Sequence, residues 1–113
     1  MRAVLDTSVN HLPEVFEYQR TPAVAEADTQ ARYRYLLAGG TCLAGDLFGD
    51  YWFRDPLDIG RRLTFVNVGA YSLAKAHRFN GHNLPSVYLR QRDGQSRLLK
   101  RYDYDDYERH WCG

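Results

Sequence analysis

Apolar and polar residues alternate along five short stretches, at residues 3–5, 32–37, 62–68, 87–89 and 98–100, with β-branched and aromatic side chains filling most apolar positions. A period of two in such residues predicts strands, because successive side chains of an extended chain point to opposite faces. Turn-forming pairs separate the stretches: Gly39-Gly40, Asp55-Pro56, Ile59-Gly60, Gly81-His82-Asn83, Leu84-Pro85 and Asp93-Gly94. The last of these predicts a hairpin joining residues 87–92 to residues 95–101. Two segments break the pattern. Residues 72–79 carry Ala74, Lys75 and Ala76 without glycine or proline, and residues 104–111 follow Asp103, a good helix cap; both predict short helices. The polar stretch at residues 21–31 reads as an exposed loop. The whole pattern predicts a mainly β domain, a small antiparallel barrel or sandwich with one or two short helices.

Composition narrows the function without naming it. With 113 residues, 44% of them hydrophobic, the chain has material for one domain that buries roughly two thirds of its unfolded surface. Fifteen basic and 14 acidic residues leave a net charge of +1, and no dense basic patch interrupts that balance, so nucleic acid and anionic lipid are not expected partners. No run approaches the ~20 apolar residues of a membrane span, and Asp6 interrupts the first apolar run too early for a signal peptide. The expectation is a cytoplasmic protein, and in that setting Cys42 and Cys112, which form no CxxC pair, are expected as free thiols. His11, His77, His82 and His110 show no metal-ligand spacing, so no metal is expected. Phosphate loops of the GxxxxGK(S/T) or GxGxxG type are absent from the sequence.

Candidate chemistry concentrates in two places. The run Gly40-Thr41-Cys42-Leu43-Ala44-Gly45-Asp46 puts a thiol and a carboxylate between turn glycines, and Gly69-Ala70-Tyr71 with Phe79-Asn80-Gly81 follows it. Cys42 has two readings, a proton donor or nucleophile facing a pocket, or a small buried hydrophobe. Asp46 either binds an ammonium group of a ligand or caps a turn, as does Asp50. Tyr71 is one of nine tyrosines, but the small residues before it let a ligand approach the backbone and leave its hydroxyl free for a phosphate.

These segments, in this order and spacing, together with Pro56-Leu57-Asp58-Ile59-Gly60, resemble the C-terminal region of fold-type III pyridoxal-phosphate decarboxylases, the ornithine/diaminopimelate decarboxylase superfamily. Within it, Cys42-Leu43-Ala44-Gly45-Asp46, Leu5-Asp6-Thr7-Ser8 with His11-Leu12-Pro13-Glu14, and Tyr104-Asp105-Asp106-Tyr107 resemble the carboxynorspermidine branch. The resemblance covers nearly the whole chain. Ornithine and diaminopimelate enzymes carry an acidic residue directly after the cysteine, where this chain has Leu43, and that departure disfavours both substrates.

The resemblance implies a C-terminal β-domain over residues 1–113 of a two-domain, homodimeric enzyme whose N-terminal (β/α)8 barrel is absent from this chain. The lysine that holds pyridoxal 5'-phosphate belongs to that barrel, and Lys75 is not its counterpart. By the family's pattern Cys42 is the catalytic proton donor reaching across the dimer interface, Asp46 lies near the substrate, Tyr71 bonds the cofactor phosphate and Phe79 is a dimer contact. Glu17 falls near the position that holds a substrate's distal amine, and a second carboxylate suits a long cationic polyamine. Taken by itself, Phe79 reads equally as a core aromatic before a turn. Two other readings of the chain remain: a decarboxylase of another α-amino acid such as ornithine, arginine or diaminopimelate, and a noncatalytic regulatory β-domain that binds a partner chain.

Overall fold

A computed structural model describes residues 1–112. Its centre is a three-stranded sheet in the order β1-β3-β4, formed by β1 (Arg2–Val4), β3 (Tyr33–Ala38) and β4 (Leu47–Phe53). β3 and β4 run antiparallel, with Tyr33 opposite Phe53 and Leu37 opposite Gly49. β1 runs parallel to β3, Ala3 lying opposite Leu37. Two smaller pairings complete the β structure: β2 (Ala23–Val24) with β5 (Phe65–Val66), and the hairpin of β6 (Val87–Arg90) and β7 (Ser96–Lys100), each antiparallel. The strands form three small sheets rather than a closed barrel, and one pairing is parallel where the sequence pattern suggested antiparallel strands throughout.

One face of the central sheet makes the core. Tyr35 and Leu37 of β3 pack with Phe48, Tyr51 and Phe53 of β4, and Val9, Leu12, Val15 and Val24 close over them from the connecting segments. The change of phase between Phe48 and Tyr51, both buried, comes from a bulge where the register shifts between Leu37 and Ala38. Gly49 makes the bulge possible, with φ of +138° in a region other residues rarely enter.

Three short helices decorate the sheets. α1 (Pro13–Glu17) begins on a proline, whose fixed φ suits the first helical position. α2 (Ala70–Lys75) starts two residues before the expected helix and stops at Ala76, whose ψ of 140° turns the chain into extended backbone. A single 3-10 turn follows at Phe79–Gly81. α3 (Tyr104–Cys112) is capped as the sequence suggested: the Asp103 carboxylate accepts from the Asp106 N–H at 3.0 Å, and the Asp106 carboxylate accepts from the Asp103 N–H at 3.1 Å. The stretch at residues 21–31 is not wholly an exposed loop, since Pro22 and Val24 are buried and β2 lies within it. Cys42 and Cys112 are both free and exposed. Among the described residues no helix is long and apolar enough to cross a membrane.

Candidate functional site

The loop between β3 and β4 carries Cys42, and Asp46 holds that loop together. Buried to 4% exposure, the Asp46 carboxylate accepts the Ser8 hydroxyl at 2.9 Å, the Val9 N–H at 2.8 Å, the Thr41 N–H at 3.2 Å and the Thr41 hydroxyl. The loop's backbone closes on itself as well: Gly39 N–H donates to the Asp46 carbonyl at 2.8 Å, and Asp46 N–H to the Leu43 carbonyl at 3.1 Å. Burial alone would push the Asp46 carboxyl up. The bonds from Thr41, Val9 and Ser8 together outweigh burial and hold it below the ordinary carboxylate range. With its acceptor capacity spent on protein donors, Asp46 is presented to the chain rather than to a ligand, and the thiol it carries four residues upstream stands in solvent.

Gly39 shows how tightly the carboxylate is held. A Cβ built there would lie 2.1 Å from Asp46 Oδ1 and 2.4 Å from its Cγ, so a side chain at 39 and this carboxylate cannot coexist. Gly39→Ala is expected to lower stability by about 1–3 kcal/mol, the usual cost of overpacking a rigid site; urea unfolding of the variant against the parent chain measures it, and an unchanged midpoint would mean that the loop yields without cost.

The segment that supplies Ser8 and Val9 also organises what surrounds the loop. It runs directly into α1, and Phe16 of α1 faces the loop at Gly45, whose built Cβ lies 3.6 Å from the Phe16 ring. α1 is then fastened to α2 by two polar contacts, Ser72 hydroxyl to the Glu14 carboxylate and Lys75 ammonium to the Glu17 carboxylate. Asn10 reaches the third element: its side-chain amide donates to the Phe79 carbonyl at 2.9 Å, and its own carbonyl accepts from His77 N–H at 3.2 Å. The Cys42 loop, the α1 helix with Glu17, the α2 helix with Tyr71, and Phe79 therefore all attach to one stretch, residues 7–17.

Around that stretch the candidate side chains differ in availability. Tyr71 is 77% exposed in the first turn of α2, and its hydroxyl has no hydrogen bond to the rest of the described residues. Phe79 is 55% exposed, so it is not a core aromatic of this chain. Glu17 is occupied by Lys75, whose ammonium also lies 5.5 Å from the Tyr18 ring centre; hydrogen bonding to Glu17 holds that ammonium's pKa above its ordinary value. The chain's second lysine, Lys100, sits over the Tyr102 ring at 5.3 Å. Ser8, Thr41, Asn10, Glu14 and Ser72 were not visible as a group in the sequence, because each acts on a partner that folding brings to it: Ser8 lies 38 positions from Asp46, and Glu14 lies 58 from Ser72. A cavity of about 950 Å³ lies elsewhere, between β1 and the loop of residues 57–65, and none of Cys42, Asp46, Glu17, Tyr71 or Phe79 borders it.

No family model matches the chain. Among curated proteins, the chain is 36% identical over 106 residues to the carboxynorspermidine/carboxyspermidine decarboxylase of Herminiimonas arsenicoxydans, covering 93% of this chain and 28% of that protein. It is 37% identical over 108 residues to the carboxyaminopropylagmatine decarboxylase of Synechocystis, with the same 93% and 28% shares. A crystal structure of carboxynorspermidine decarboxylase from Campylobacter jejuni, complexed with norspermidine, matches the fold with a TM-score of 0.89 at 32% identity, over 96% of this chain and 34% of that one. The chain thus spans little more than a quarter of the length of the curated relatives it matches. In sequence and in fold this chain is a homologue of one region of the carboxynorspermidine/carboxyspermidine and carboxyaminopropylagmatine decarboxylases.

Proposed function

We propose that this chain is the C-terminal β-domain of a pyridoxal-phosphate-dependent decarboxylase of polyamine biosynthesis that releases carbon dioxide from carboxynorspermidine or carboxyspermidine. The observation that carries this reading is the sequence match over 93% of the chain to an enzyme of that name. In this reading a (β/α)8 barrel completes the enzyme, two copies assemble into a homodimer, and the enzyme works in the cytoplasm.

The residues present fit part of a cofactor site and leave the rest to other surfaces. Pyridoxal phosphate supplies an electron sink for the pair left on the substrate carbon when carbon dioxide departs. Both lysines here are engaged, Lys75 by Glu17 and Lys100 by Tyr102, which supports a reading in which the lysine that binds the cofactor comes from the barrel. Tyr71, exposed and with an unengaged hydroxyl, suits a hydrogen bond to the cofactor phosphate. Tyr71→Phe is expected to weaken cofactor binding in the assembled enzyme about tenfold, the loss of one bond to a charged acceptor, seen as a shift in the apparent Kd from cofactor absorbance titration. Equal Kd values for the two forms would remove Tyr71 from the phosphate site.

Cys42 is the proton donor in this reading, and Glu17 takes a distal ammonium of the polyamine by exchanging it for Lys75. Asp46 serves by holding the Cys42 loop in shape rather than by touching substrate, a revision drawn from its four protein donors. Phe79 remains the dimer contact. The test is a decarboxylation assay on this chain with its barrel region supplied, using carboxynorspermidine and, separately, carboxyaminopropylagmatine. Release of carbon dioxide from carboxynorspermidine only when both parts are present supports the proposal; no release under any combination overturns it. Preference for carboxyaminopropylagmatine would favour a second reading, which the Synechocystis relative supports at comparable identity.

A further inference from the structure

A histidine outside the proposed chemistry joins the two halves of the cluster. His11 is buried, between Asn10 and α1, in the same stretch that feeds the Asp46 carboxylate. Its Nε2 lies 2.6 Å from the Asn83 carbonyl, and its Nδ1 lies 2.8 Å from the Thr7 hydroxyl. A carbonyl has no hydrogen to give, so Nε2 carries the ring proton and donates it. In the neutral ring Nδ1 is then an acceptor, which the Thr7 hydroxyl fills. The ring of His82 stacks on that of His11 with centroids 4.9 Å apart and planes 27° apart.

We propose that neutral His11 is the positioning residue that latches residues 79–83 against the stretch holding the Asp46 loop, and that protonation of its ring loosens the latch. This inference stands on the contacts and the burial of the ring and does not depend on the decarboxylase reading. Asn10 and His11 hold the segment at its two ends, Asn10 at the Phe79 carbonyl and His11 at the Asn83 carbonyl. Asn83 in turn donates its side-chain amide to the Tyr102 carbonyl at 2.7 Å, so the latch extends to the chain entering α3.

A second proton would reverse the bond to Thr7, whose hydroxyl would turn from donor to acceptor. The proton would sit on Nδ1, making the buried ring a cation. Burial is the largest influence on it and disfavours that cation; His82 and His77 disfavour it further. The Asn83 carbonyl and the Asp46 carboxylate favour it, but Asp46 already serves four protein donors and cannot turn to meet the ring. The balance lies below the ordinary value of 6.5. A state in which residues 79–83 swing away and water reaches His11 removes the burial penalty and so binds the proton more tightly. By linkage, acidification below 6.5 favours the opened state.

The test is an NMR titration of the chain between pH 8 and pH 5, following the His11 ring carbon and the backbone amides of residues 80–84. The expected result is a His11 midpoint below 6.5, with the amides moving along the same curve. His11→Gln keeps a neutral donor able to reach the Asn83 carbonyl, and in that variant the movement of these amides is expected to fall at least fivefold. His11→Ala removes the donor, and the amides should take their acid-like positions at pH 8. A His11 midpoint at or above 6.5, amides that stay still while the ring titrates, or the full movement persisting in His11→Gln would each overturn the latch. If the alanine variant does not fold, the glutamine variant and the parent titration decide alone.

Discussion

Asp46→Ala is expected to cost this chain about 3–5 kcal/mol of folding stability, a large share of the 5–15 kcal/mol that holds a small domain together. Four donors from three residues converge on this one buried carboxylate, and alanine leaves those of Ser8 and Val9 unpaired away from water and the two of Thr41 unpaired and half-buried. Asp46→Asn separates shape from charge. If the amide oxygen takes the place of Oδ2 it still accepts from Ser8 and Thr41, but the amide nitrogen then faces the Val9 N–H, donor against donor. The asparagine loss should therefore be roughly half that of alanine. The pH dependence has a fixed sign. A carboxyl held below its unfolded value of 3.8 stabilises the fold fully above that value, and the stabilisation disappears as pH falls through the folded value. Urea unfolding from pH 7 down to pH 2.5 should show this decline in the parent chain and a shallower one in Asp46→Asn. A loss under 1 kcal/mol for Asp46→Ala would mean that the loop is held by its backbone alone.

How much of the fold was legible follows from how local its causes are. β3, the hairpin turn at Asp93-Gly94 and the reciprocal cap of α3 all rest on residues within a few positions of one another, and each formed where the pattern put it. β4 was hidden because its bulge at Phe48-Gly49 breaks the alternation that marks a strand, so Phe48, Tyr51 and Phe53 share the core without sharing a period of two. The stretch at residues 62–68 was over-read: only Phe65 and Val66 pair, and Asn67 leaves the extended region with a φ of +57°. α1 is five residues long and opens on proline, too short for any helical period to register. That β1 runs parallel to β3 is a property of the connection between them, which no local pattern carries.

The site divides along the same line. Cys42 and Asp46 stand out because a thiol and a carboxylate between turn glycines are unusual, but the sequence does not say which of them faces outward. The structure separates them by burial, the thiol exposed and the carboxylate enclosed. The donors that enclose it are ordinary residues, Ser8, Val9 and Thr41, whose importance lies only in where the chain brings them. His11 was read for metal spacing and within the resemblance, and its hydrogen bond to the Asn83 backbone, 72 positions away, lies outside what spacing can express. Local chemistry is readable from residue types, whereas the support that aims it is written in long-range contacts.

Cys42→Ala, in the complete enzyme proposed above, is expected to lower kcat by about 10²–10⁴-fold, the range of a lost general acid, while leaving the fold untouched. When the bond to carbon dioxide breaks, its electron pair stays with the substrate, and that carbon must take up one proton before product can leave. In the proposed site the Cys42 thiol gives that proton and recovers it from solvent, to which it is open in this chain. An exposed side chain with no partner to lose should change stability by no more than about 0.5 kcal/mol. The two variants of the loop thus fail in opposite ways: Asp46→Ala loses activity with the fold, and Cys42→Ala loses activity with the fold intact. Cys42→Ser should not restore the rate, because a hydroxyl gives up its proton far less readily than a thiol. Parallel thermal melts and carbon dioxide release assays separate these cases. A Cys42→Ala enzyme turning over within twofold of the parent would take the proton donor out of this loop.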